Sequence, residues 1–108
     1  MTTKKSEISV QIELDQNHVP EKIQWQASDG QQELTECKAA FLSFWDSKSK
    51  ESLRIDLWTK EMTTDEMTYF FYQMLASMAD TLERATNQDK MAADMRDFCQ
   101  HFADKLLK

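Results

Sequence analysis

With 108 residues, 41% hydrophobic and 30% charged, the chain is long enough to bury a core without disulfides or metals, and its composition is not that of a disordered protein. Thirteen basic residues against 19 acidic ones leave a net charge of −6, and Lys48, Lys50 and Arg54 lie among Asp46, Glu51 and Asp56, so no basic stripe is available for nucleic acid or anionic membranes. No apolar run approaches the roughly 20 residues of a membrane span, and Met1 to Asp15 offers no signal-peptide core, so a cytoplasmic location is expected.

Ile8, Val10, Ile12 and Leu14 alternate with Ser9, Gln11 and Glu13, the period of a strand with one wet face. A turn at Asp15 to His18 and a fixed φ at Pro20 precede a second alternation through Ile23, Trp25 and Ala27, so the first two strands form a hairpin. Ser28, Asp29 and Gly30 carry the strongest turn signal, with Gly30 free to take positive φ.

From Glu36 to Asp46 the chain reads as one strand with apolar residues on both faces: Cys37, Ala39, Phe41 and Trp45 on one, Ala40, Leu42 and Phe44 on the other. Such a strand is covered on both sides. After a polar turn from Asp46 to Glu51, Leu53, Ile55 and Leu57 alternate with Arg54, Asp56 and Trp58. The period then becomes helical. Thr63 and Glu66 match a capping box, and Met67, Phe70, Phe71, Met74, Leu75, Met78 and Leu82 form one stripe,. Beyond Asn87 a second helix aligns Met91, Met95, Phe98, Cys99, Phe102 and Leu106.

The expected architecture is α+β, in a single domain over residues 1–108. Four strands, near 6–15, 20–28, 35–46 and 51–59, form an antiparallel meander, and helices near 64–86 and 88–107 pack on one face,. Phe71 and Phe98 sit centrally on their stripes and are expected in the core.

The residue types that carry chemistry are sparse. His18 and His101 stand alone, without partner motifs,. Cys37 and Cys99 have no metal spacing and read as small buried hydrophobes in a reducing compartment. One glycine cannot build a P-loop, a dinucleotide fingerprint or a serine elbow. No catalytic residue, metal site or cofactor is therefore assigned, and the protein reads as a non-enzyme. Large aromatics on consecutive strands, Trp25, Phe41, Trp45 and Trp58, are the candidates for protein binding or for a subunit contact. Because Trp and other large apolar residues fall on both sides of the later strands, self-association is expected, as a dimer through sheet edges or the two-faced strand.

The words VPEKIQW (19–25), WDSKSKESLRIDLWTKEM (45–62), DEMTYFF (65–71), ADTLERAT (79–86) and DFCQHF (97–102) resemble the gliding motility-associated GldC family of Bacteroidetes. The likeness covers nearly the whole chain. It implies a small cytoplasmic protein tied to gliding motility and its secretion machinery, with no catalytic or cofactor residues to carry over. Element order, four antiparallel strands and then two helices in an acidic chain, is also similar to SecB-type export chaperones, without a shared motif.

The reading that follows is an accessory protein of the gliding-motility and secretion system, chaperone-like, acting on protein partners. Two others stand beside it: a small-molecule-binding or enzymatic domain on the Trp-bearing sheet face, and a purely structural homo-oligomer subunit.

Overall fold

A computed structural model describes residues 4–107. Five strands precede two helices: β1 (Ile8–Leu14), β2 (Pro20–Ala27), β3 (Thr35–Cys37), β4 (Ala39–Asp46), β5 (Glu51–Trp58), α1 (Thr64–Thr86) and α2 (Asp89–Leu106). The α+β class and both C-terminal helices stand as the sequence predicts. Contacts gather the chain into two units, one through Met62 and one from Thr63.

In the first unit the expected β1–β2 hairpin is present and antiparallel, with Val10 opposite Trp25 and Ile12 opposite Ile23. Directly opposed residues share a face, so Ile8, Val10, Ile12, Ile23, Trp25 and Ala27 line one side and Ser9, Gln11, Gln24 and Gln26 the other. Ile23 is fully buried. The Asp15 carboxylate shapes the connecting turn, accepting from the Asn17 and Val19 amides at 2.8 and 2.9 Å, while His18 takes a left-handed φ of 63°.

The four-stranded meander is not what forms. The long third strand is interrupted by a bend at Lys38, and its two parts join different sheets, β1-β2-β3 and β4-β5. Cys37 lies opposite Ile23 in the first, whereas Ala39 lies opposite Trp58 in the second. Period-2 alternation runs unbroken through such a bend, because a bend changes the hydrogen-bonding neighbour without changing which residues alternate. Nor is the strand covered on both sides, since Phe44 and Trp45 are exposed. Gly30 takes no positive φ. Besides His18, the left-handed residues among those described are Lys50, in the β4–β5 turn, and Asn87.

In the second unit the capping box forms as expected. The Glu66 amide donates to Thr63 Oγ1 at 3.0 Å and the Thr63 amide to Glu66 Oε1 at 3.1 Å. Asn87, at φ 58°, ends α1 and donates its amide to the Glu83 carbonyl,. The helices form an αα-hairpin whose buried residues are small: Ala79, Ala92 and Cys99. Tyr72 stacks on Phe102 at 6.5 Å between ring centroids, and Arg96 bridges the helices to Asp80 and Glu83, each at 2.8 Å. Those two carboxylates hold the guanidinium above its usual pKa, Asp80 foremost. Phe71 and Phe98 are not core residues; both are exposed. The helical period marks a stripe wider than the seam between two helices, and it cannot rank positions within the stripe.

Candidate protein-interaction surface

The β4–β5 hairpin turns on Asp46, whose carboxylate accepts from the Lys48 amide and the Ser49 hydroxyl. Its register runs without a shift from Ala39 opposite Trp58 to Asp46 opposite Glu51. One face therefore carries Phe41, Trp45 and Trp58 together with Ser43, Ser52, Arg54 and Asp56. Phe41 lies opposite Asp56, diagonal to Trp58, close enough for large rings to meet across the strands,. Trp45 is 66% exposed and Trp58 52%; Phe41 is half-buried.

The other face carries Ala40, Leu42, Phe44, Leu53, Ile55 and Leu57, without a charge between the turn and the strand ends. Phe44, Leu53 and Ile55 are exposed to a similar degree as the tryptophans. The sequence reading placed these three on strand faces without singling them out as binding residues, because apolar alternation is also the pattern of a core-facing strand, and burial depends on what lies above it. Large apolar side chains exposed on both faces of one hairpin are a feature of interaction surfaces rather than of ordinary exteriors.

Of the four aromatic candidates, the hairpin brings Phe41, Trp45 and Trp58 together and leaves Trp25 in the other sheet, half-buried between Val10 and Thr35. A cavity of about 240 Å³ on that sheet is lined by Glu7, Ser9, Gln26, Ala27, Ser28 and Gln32, and by none of the four.

Charged groups gather where the first unit closes. Lys60, just past β5, pairs with Asp15 in the β1–β2 turn and lies 3.8 Å from Glu21. The Lys60 hydrogen bond, helped by the Val19 amide, draws the Asp15 pKa below the usual carboxylate value, and Asp15 in turn raises that of Lys60. Thr59 is buried; its amide donates to the Lys38 carbonyl at 2.8 Å while its hydroxyl has no partner among the described residues. Both cysteines are free, and burial pushes the Cys37 thiol upward. His18 and His101 are exposed. Among the described residues no three His, Cys, Asp or Glu side chains gather as metal ligands would, and no helix is long and apolar enough to cross a membrane.

A family model described as gliding motility-associated protein GldC-like matches residues 20–108. Neither the curated proteins nor the solved structures gave a match.

Proposed function

The chain belongs to the gliding motility-associated GldC-like family, and from that premise we propose that it is a non-enzymatic cytoplasmic accessory protein of the motility and secretion machinery. It acts by binding protein partners, in the manner of a chaperone, and works as a dimer. The observation that carries this reading is the β4–β5 hairpin, with Trp45 and Trp58 largely exposed on one face and Phe44, Leu53 and Ile55 on the other. Trp25, Phe41, Trp45 and Trp58 are the partner-binding side chains. Aromatic anchors on a rigid strand pair give large contact area at small entropic cost. The net charge of −6 keeps such a surface soluble and favours basic or unfolded clients over acidic ones. SecB-type chaperones share the order of strands followed by helices, a likeness of architecture only.

Affinity purification from a gliding bacterium, followed by mass spectrometry, tests the reading. Motility or secretion components should be retained by the native chain and lost from a Trp45→Lys, Trp58→Lys variant that keeps its helical circular dichroism. Retention of no such component, together with no slowing of aggregation of unfolded motility proteins, would sink it.

A further inference from the structure

We propose that two copies of this chain pair through the free edge of β5, antiparallel about Ile55, so that Arg54 of each copy lies opposite Asp56 of the other. The proposal rests on the dimeric reading above and gives it a surface and a register.

Among the described residues β5 is hydrogen-bonded within its sheet to β4 alone, and Glu51 through Asp56 are exposed. Which backbone groups face the free edge follows from the ladder. Thr59, one step beyond the last pair of the register, donates its amide to Lys38, so Lys38–Thr59 is a hydrogen-bonded pair. Bonded and non-bonded pairs alternate along an antiparallel ladder. Leu57, Ile55 and Leu53 therefore direct their N–H and C=O groups to β4, and Ser52, Arg54, Asp56 and Trp58 direct theirs outward.

A second β5 must meet those outward groups with its own outward groups, which requires the two-fold axis to pass through a residue and not between two. Centred on Arg54, the pairing sets two guanidinium groups against each other. Centred on Asp56, it opposes two carboxylates. Centred on Ile55, it places Arg54 opposite Asp56 twice, Leu53 opposite Leu57 twice and Ser52 opposite Trp58 twice. Opposite charges and apolar pairs directly across an antiparallel ladder are stabilising, and like charges there are not. Arg54 and Asp56 already meet within one strand at 3.2 Å, and the symmetric pairing sets each of them directly opposite the same partner type on the other copy.

The other edges offer no such choice. Between Ala39 and Trp45, β4 has no charge, between Ile8 and Leu14, β1 has Glu13 alone, and β3 has Glu36 alone. Pairing at β5 also joins the apolar faces of two hairpins, Leu53, Ile55 and Leu57 of one copy continuing into those of the next, as an isologous contact does. A pair of opposite charges on an edge strand can instead serve to discourage pairing, and the experiment separates the two roles.

Sedimentation equilibrium is measured on the native chain, on Arg54→Asp, on Asp56→Arg and on the double exchange. Each single reversal turns two attractive cross-strand pairs into two repulsive ones and should raise the dimer dissociation constant about tenfold or more. The double exchange should restore it. Ile55→Cys, with the native chain as control for Cys37 and Cys99, should give a disulfide-linked dimer on mild oxidation, because a non-bonded pair brings the two positions to about 4.5 Å between Cα atoms. A native dimer indifferent to both reversals, or one not rescued by the double exchange, overturns pairing at β5 and leaves self-association standing. A native chain monomeric at every concentration overturns both.

Discussion

Asp15 and Lys60 tie the turn between β1 and β2 to the segment that follows β5, an ion pair between two ends of the sheet unit. The Asp15 side chain is only 11% exposed and holds the Asn17 and Val19 amides as well, so a single carboxylate shapes a turn and anchors a distant strand end.

The pair predicts a pH dependence. Asp15 has a lowered pKa in the folded chain, so its contribution is present above the ordinary carboxylate value of about 4 and is lost as pH falls through the lower folded value. Lys60 is raised, so its contribution is present below its ordinary value of about 10.4 and is lost as pH rises through the higher folded one. Urea melts should show stability falling at both limits. Asp15→Asn, which keeps the acceptor oxygen, should flatten the acid limb, and Asp15→Ala should be less stable than Asp15→Asn at neutral pH. An acid limb unchanged in Asp15→Asn would show that other carboxylates set it.

Ile23 and Phe98 should separate in stability. Ile23 is wholly buried, and truncation to Ala should cost about 2–5 kcal/mol through the cavity it leaves. Phe98 is exposed, and Phe98→Ala should cost about 1 kcal/mol or less. Chemical denaturation with unchanged m-values decides it; the reverse order would place Phe98 in a core.

The start of α1 depends on its reciprocal cap. Thr63→Ala removes the oxygen that receives the Glu66 amide and should cost about 1 kcal/mol, with faster amide exchange confined to the first turn. Thr63→Ser should behave as the native chain. A uniform rise in exchange along α1 would point to a role beyond capping.

The expectation of a single domain over residues 1–108 predicts one cooperative transition. All three tryptophans lie before residue 60, so their fluorescence reports the strands, whereas circular dichroism at 222 nm reports mainly α1 and α2. The two melts should coincide. Separate midpoints would mean that the units through Met62 and from Thr63 unfold independently.

The sequence by itself determined whatever rests on neighbours a few residues apart. Ile8 to Glu13 alternates as it pairs. Thr63 with Glu66 marks the start of α1, and Asn87 its end, because caps are satisfied locally. The words from Val19 onward carried the family. Only the tertiary structure decided that the chain changes sheets at Lys38, since the choice of hydrogen-bonding partner is made across the fold and leaves the alternation untouched. It also decided that His18 and Lys50, not Gly30, take left-handed backbone, because turn geometry is imposed by the strands a turn must join. Leu53 and Ile55 show the limit most plainly. Their spacing states that they share a face, and only the elements packed above that face determine whether it is a core or a surface that meets another protein.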